Sequence, residues 1–438
     1  MNNEKNIGTT ETLEMKKVSR VERHKIKRNS NFFSLIDDYC LKSKNMYNYG
    51  NYIIRQRFIE TSKEKEQGLR ENAEWIRWVE LYHLVKDSEA FTEFKVGARG
   101  TIRKLDKAWK GFFKSIKDYS KHPEKYTGMP KMPKYLDKEK GRYEFDLENN
   151  RFKIKDGYIY IGVKNLKVMN NHFKTRIDAE KSKLLQIRFI PRDKEYIMEV
   201  VYEVEVPELK NITEPQRVAS IDLGLNNLMT ITTNCGIAPV VINGRSLKAI
   251  NQYYNKMLAE KRSVLKRVYG KDWSNELQRI TTKRNNKLDN GIHQATRKVI
   301  DFCIENKIDT LLCGYSTGWK KNVEKGNDTM QSFAYIAYEL VLNRLEYKCE
   351  DAGINFKAIE EKYTSGTSYL DNEQPIEKNN NKDRRVYRGL FISNTGKKIN
   401  ADVNASYQLM RKELPEKLLP NVSEIALHPT IINLPIVY

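Results

Sequence analysis

Three acidic positions stand where this chain could do metal chemistry. Asp222 sits inside the apolar run Val218-Ala-Ser-Ile-Asp-Leu-Gly-Leu225, between Ile221 and Leu223. Burying a carboxylate in such a segment costs on the order of several kcal/mol unless something offsets its charge. A metal ion is one such partner; a solvated hairpin acid, or an acid capping the turn at Gly224, is the plainer reading. Glu360 and Glu361 close the apolar run that begins at Ile354. Asp402 stands near the start of a helix opening at Asn400-Ala-Asp-Val-Asn-Ala405, where an acid also complements the helix macrodipole. Hydrolysis of a phosphodiester at neutral pH is served by two divalent cations roughly 4 Å apart. Carboxylate oxygens suit magnesium, which keeps several of its own waters. Acids converging from separate elements would meet that need.

Other chemistries are poorly supplied. The six histidines contain no His-x-His pair, which disfavours a tyrosine transposase of the HUH type. The five cysteines (Cys40, Cys235, Cys303, Cys313, Cys349) are scattered without a Cys-x-x-Cys pair, so a reducing compartment is expected, with neither a disulfide framework nor a thiolate zinc site. With Lys+Arg 78 against Asp+Glu 57, the net charge is +21 and is spread along the 438 residues. Such an excess favours polyanionic partners, nucleic acid foremost. No apolar run approaches the roughly 20 residues of a membrane span. The polar start, MNNEKNIGTTETLEMKK, lacks a signal-peptide core and reads as disordered over residues 1–20, in a cytoplasmic protein.

The elements that must position the acids follow from periodicity. A basic strand is expected at Val21–Arg28, then a helix with the stripe Phe33, Ile36, Cys40, Tyr47 and Ile54. Further helices carry Trp75, Trp78, Val79 and Leu81, then Leu105, Trp109, Phe112, Phe113 and Ile116. Arg55, Arg57, Arg99, Arg103, Lys104, Lys107 and Lys110 lie between these stripes, as solvated faces or as a groove for a phosphate backbone. From about residue 142 to 206 the period becomes two, and the short strands suggest a small barrel with the helices inserted into it. Residues 207–216 read as a linker. Beyond it, three strands through Asn243 precede a helical pair: one helix with Ile250, Tyr254, Leu265 and Val268, its partner with Leu288, Ile292, Ala295, Val299 and Cys303. A strand at Asp309–Cys313 ends at Gly314. A helix with Phe333, Ala337, Val341 and Leu345, a strand at Ile354–Ile359 and the last helix complete an α/β order. Residues 377–385 read as a mobile loop. An RNase H-like fold has this order.

Four segments then carry a resemblance: IDLGLNNLMTITTN, DTLLCGYSTGWKKN, IEEKYTSGTSYLD and GLFISNTGKKINADVNASYQLMRK. In that order they resemble TnpB, a family of transposon-encoded RNA-guided DNA endonucleases related to compact type V CRISPR effectors. ERHKIKRNSNFF, NMYNYGNYIIRQ, LDKAWKGFFKSIKDY and GMPKMPKY extend the likeness through the N-terminal half. The resemblance implies an α+β N-terminal half over 21–206, a wedge β-barrel with an inserted helical recognition domain at about 30–120. It implies an α/β RNase H-like (RuvC) nuclease domain over 217–412, with a loop insertion at 366–399 and a tail at 413–438. It further implies a guide RNA, a target double-stranded DNA, two Mg2+ ions, no membrane, and an Asp-Glu-Asp triad for which Asp222 matches the first acid and Asp402 the third.

The second acid departs from the common pattern. Most members carry it after the strand that here reads TLLCGYS, where this chain has Gly314 and Tyr315. Some members carry a Glu just before Tyr-Thr-Ser instead; Glu361 fits that variant, with Glu360 as the alternative. Strand alternation puts the two on opposite faces. The cysteine pairs of the family's zinc ribbon are missing from 366–394, so no structural zinc is expected. Trp319, Lys320 and Lys321 could stack on and pair with a nucleic-acid strand, or pack. The leading reading is an RNA-guided magnesium-dependent DNA endonuclease. The alternatives are a nuclease-dead RNA-guided DNA-binding repressor, or a compact type V effector captured by a CRISPR locus.

Overall fold

The computed structural model describes residues 14–192, 195–208, 215–316, 338–387, 389–422 and 428–435. Trp319, Lys320, Lys321, Phe333 and Ala337 lie outside the described residues. The chain forms two compact units, Lys16–Glu205 and Val206–Tyr438 with Met1–Met15.

In the first unit, strands β1 (Met15–Lys27), β2 (Phe145–Glu148), β5 (Ser182–Arg192) and β6 (Glu195–Pro207) form a sheet in the order β1-β6-β5-β2. A separate hairpin pairs β3 (Phe152–Lys155) with β4 (Tyr158–Ile161). Main-chain pairing among the described residues therefore gives an open sheet and a hairpin, where a closed small barrel was expected. Strand β1 starts at Met15, inside the segment expected to be disordered through residue 20.

Helices α1 (Phe33–Glu66), α2 (Trp78–Val85), α3 (Glu89–Thr92) and α4 (Ala98–Tyr119) fill the interval between β1 and β2. Their apolar stripes meet in one core: Ile36, Cys40, Tyr47 and Ile54 of α1 are buried with Leu105 and Trp109 of α4. The Trp109 indole N–H donates to Asn51 Oδ1 at 3.0 Å, which satisfies its one polar group. The basic residues between the stripes are largely engaged within the unit. Lys104 pairs with Asp146 at 2.9 Å, Lys110 with Asp106 at 2.6 Å and Arg103 with Glu148 at 3.3 Å. Arg99 and Arg55 lie over the rings of Tyr82 and Tyr135.

The second unit is built on a six-stranded mixed sheet. Its strands are β7 (Val218–Leu223), β8 (Asn227–Thr233), β9 (Val240–Asn243), β10 (Thr310–Tyr315), β11 (Asn355–Glu360) and β14 (Thr430–Asn433), in the order β11-β10-β7-β8-β9-β14. Strand β8 runs antiparallel to both β7 and β9, while β10 is parallel to β7 and β11 parallel to β10. Strand β14 adds in parallel to β9, so the segment expected to be a tail supplies an edge of the sheet.

Helices cover both faces. On one, Ala219, Ile221 and Leu223 pack with α6 (Asn275–Glu305) through Leu288, Ile292, Val299 and Cys303, and with α7 (Tyr338–Asp351) through Val341 and Leu345. Helix α5 (Arg245–Tyr269) joins this face only at its start: Leu247 and Asn251 are its buried residues, and Val268, expected inside, is exposed. On the other face lies α8 (Ala401–Glu413), whose Val403, Tyr407, Leu409 and Met410 pack with Val218, Leu312 and Ile359. Between β11 and α8 comes a lobe with the short pair β12 (Leu390–Ile392) and β13 (Lys398–Asn400). No helix among the described residues is long and apolar enough to cross a membrane.

Candidate functional site

Strand alternation sorts the residues of β7. Ala219, Ile221 and Leu223 enter the core under α6, so Ser220 and Asp222 face α8. Two polar contacts seat the helix there. The Ser406 hydroxyl donates to the Ser220 carbonyl at 2.9 Å and shares a hydrogen bond with Thr232 at 2.8 Å. Asp402 comes from the first turn of the same helix, where the Asn400 cap accepts from the Asp402 and Val403 amides at 3.0 and 3.2 Å.

The alternation also separates the two glutamates. Ile359 packs on the α8 side, and Glu361 continues that face. The Glu361 amide donates to the Tyr315 carbonyl at 2.9 Å, carrying the ladder one residue past β11. Glu360, one position earlier, is exposed. Glu361 reaches the acid cluster because position 314 has no side chain. A Cβ built on Gly314 would lie 3.1 Å from Glu361 Oε2 and 2.9 Å from Leu409 Cδ1. The neighbouring strand thus sends its carboxylate into the space that the glycine leaves.

Asp222, Glu361 and Asp402 line one pocket of about 720 Å³, together with Asn226, Asn227, Arg245, Glu360, Lys362 and Arg385. Burial pushes the Asp222 carboxyl well above the usual carboxylate range, and the nearby charges of Asp402 and Glu361 push it further, against Arg385. Asp222 keeps part of its surface open to the pocket. Burial also pushes Glu361 up, to about 7, with the Lys412 ammonium opposing. Acids this close to one another are short of positive charge.

Part of that shortage is met by groups that periodicity did not single out. Arg385, from the lobe before α8, donates to Asp402 Oδ1 at 2.7 Å, and Asn227 donates to Oδ2 at 2.7 Å. Asn227 stood within the first segment of the family resemblance. Arg385 stood in the stretch expected to be a mobile loop, and no spacing rule links it to Asp402. As donors, three carboxylates match the hard oxygen chemistry of magnesium. Among the described residues, however, no group of three His, Cys, Asp or Glu side chains is drawn together closely enough to hold an ion. Arg385 and Asn227 each take one oxygen of Asp402, so a cation bound there would share those oxygens with them or displace the guanidinium from Oδ1.

Two family models match the chain. Residues 199–320 match OrfB_IS605, described as a probable transposase, and residues 338–409 match the TNB domain of Cas12f1-like proteins. The two matches support a TnpB-like lineage for these segments. Among solved structures, a Cas12f1-sgRNA-target DNA complex is 16% identical over 85% of this chain and 82% of its own, with a TM-score of 0.49. A CRISPR-Cas12f ternary complex is 14% identical over 86% and 82%, with a TM-score of 0.35. C2c1 of Alicyclobacillus acidoterrestris with single-guide RNA is 9% identical over 90% and 70%, with a TM-score of 0.34. No curated protein matches. The two matched segments contain all three acids: Asp222 in the first, Glu361 and Asp402 in the second.

Proposed function

We propose that this TnpB-like chain is an RNA-guided DNA endonuclease, in which Asp222, Glu361 and Asp402 form a RuvC-type metal site. The observation that carries the reading is the convergence of three carboxylates from β7, the end of β11 and α8 on one pocket, where burial pushes Asp222 and Glu361 up despite the cations nearby. The strand order, an antiparallel trio beside two parallel strands, supports an RNase H-like core. Bound magnesium would supply charge neutralisation and an activated water for phosphodiester hydrolysis.

The chain's own residues prepare the site. Asp222 and Glu361 are held where each raises the cost of the other's charge, which favours the uptake of cations. Asn227 orients Asp402 through Oδ2, and Arg385 neutralises it through Oδ1. A guanidinium at this position would be well suited to donate to the oxygens of a phosphodiester. Sequence specificity would come from guide pairing, as in other RNA-guided effectors. The net charge of +21 supports RNA and DNA as partners.

A nuclease-dead, RNA-guided DNA-binding repressor is the second reading. The observation that favours it is that both Asp402 oxygens are engaged and that no ion-holding group stands assembled among the described residues. Plasmid cleavage by the RNA-bound protein separates the two. Magnesium-dependent cuts that EDTA stops support the nuclease; target binding without cuts overturns it in favour of the repressor.

A further inference from the structure

We propose that Lys412 is the positioning residue of the displaced second acid. Its ammonium bridges the carbonyls of Glu360 and Lys362, each at 2.7 Å, and so pins the backbone on both sides of Glu361. This inference rests on the nuclease reading above and adds the device that makes a relocated acid usable.

The need for such a device follows from where Glu361 stands. An acid at position 314 would be carried by a strand hydrogen-bonded on both sides, since β10 lies between β7 and β11. Glu361 lies one residue past the end of β11, an edge strand of the described sheet. Two residues later Tyr363 has φ 69°, a left-handed conformation that a non-glycine residue holds only when its surroundings impose it.

The bonds around Glu361 meet that demand. Its amide donates to the Tyr315 carbonyl, and its carbonyl accepts from the Thr364 amide at 3.2 Å and the Thr364 hydroxyl at 2.8 Å. Lys412 then takes the carbonyl on either side. One half-buried ammonium donating to two carbonyls makes charge-assisted bonds, stronger than neutral ones. Because Lys412 is in the last turn of α8 and Asp402 in its first, a single helix places the third acid directly and the second acid through the backbone. The clamp directs the Glu361 side chain toward the gap at Gly314, with Oε2 3.1 Å from where a Cβ would stand.

The test uses the full-length protein with its guide RNA and compares wild type with Lys412→Gln and Lys412→Arg. Hydrogen exchange of the 361–365 amides reads the clamp, and cleavage reads its consequence. In Lys412→Gln those amides should exchange about tenfold faster while the rest of the chain keeps its protection. Cleavage should fall about 10- to 100-fold, the usual effect of losing a residue that orients a metal ligand. Lys412→Arg, which keeps charge and multiple donors, should restore both to within about threefold. Wild-type exchange at 361–365 in Lys412→Gln overturns the proposal, as does loosened exchange with undiminished cleavage. If Lys412→Gln loses protection throughout, Lys412→Arg decides. A folded Arg variant with both properties restored supports the clamp; one lacking either, or one that also unfolds, overturns it. Absence of cleavage by wild type overturns the nuclease reading alone, and exchange still judges the clamp.

Discussion

Two consecutive arginines face opposite electrostatic situations. Arg384 is nearly buried at the centre of the lobe between β11 and α8, with carboxylates and carbonyls arranged around it. It makes paired bonds of 2.8 Å to both oxygens of Glu373 and donates to the Gly366 and Asn379 carbonyls at 2.9 and 3.0 Å. Its guanidinium also lies 5.3 Å over the buried Phe391 ring. Burial opposes ionisation of Glu373, but the Arg384 bonds and the Ser368 amide outweigh it and hold that carboxyl below its usual range. Arg385, by contrast, is one guanidinium facing Asp402, with the buried acids Asp222 and Glu361 close behind. The described lobe is held by the Arg384 network. The lobe is balanced in that its cation holds a carboxyl down; the pocket is unbalanced in that Asp222 and Glu361 are both pushed up.

The largest effect should fall on the unbalanced side. Asp222→Ala and Asp402→Ala are expected to lower cleavage by about 10³-fold or more while leaving guide-RNA binding intact, as measured on RNA-bound protein. Glu361→Ala should lower it nearly as far, with Glu360→Ala within about threefold of wild type. The reverse ranking would move the second acid by one position and break the argument from strand alternation.

On the balanced side the effect is on stability. Arg384→Met leaves Glu373 and Asp371 facing each other without their cation, which should cost about 3–5 kcal/mol by denaturant unfolding. Arg384→Lys should recover little, because an ammonium cannot reproduce the planar fork. An unchanged midpoint in both variants would remove the scaffold half of the comparison. Arg385→Ala breaks a half-exposed pair and should cost no more than about 1 kcal/mol. It should also lower the magnesium concentration needed for half-maximal cleavage if the guanidinium competes for Asp402.

The smallest effect is the response to pH, which should have opposite signs in the two regions. Glu361 is raised to about 7 in the folded protein, so the folded state holds the extra proton between the ordinary carboxylate range and about pH 7. Stability of the metal-free protein should therefore fall as pH rises through that window. Glu373 is lowered, so its contribution is present above the ordinary range and lost as pH falls below it. Thermal melts between pH 4 and 8 should show a maximum between these limbs. Asp222 is raised too, so Glu361→Gln should weaken the alkaline limb, Glu361→Gln with Asp222→Asn should flatten it, and both should leave the acid limb in place. An alkaline limb that survives the double change would sink the assignment of the unbalanced charge to these two acids.

Periodicity and turn chemistry carried much of the second unit. The strand at 218–223, the buried strand ending at Gly314 and the helix opening at Asn400 were legible because apolar alternation and a capping asparagine are local signals. The acids were legible for the same reason, each interrupting or closing an apolar run. The sequence favours Glu361, with Glu360 as the alternative; that Glu361 shares the face of Asp222 needed the fold, because it depends on which face of β11 meets α8 and on a neighbouring strand having a glycine there. Strand β14 was missed because a four-residue edge strand is recruited by the sheet and not by its own pattern. The exposed end of α5 was misread as core because a helical stripe shows what could be buried but not what is present to bury it.

The sequence by itself determined the acidic residue types, the helix and strand periods around them and the missing thiolate pairs, since all are written in adjacent residues. Only the tertiary structure decided that Arg385 and Asn227 hold Asp402, that Arg384 stands at the centre of the lobe, and that Lys412 bridges the backbone around Glu361. Those are contacts between residues from 5 to 175 positions apart. Their geometry depends on how sheet and helix pack, and no local pattern encodes that packing.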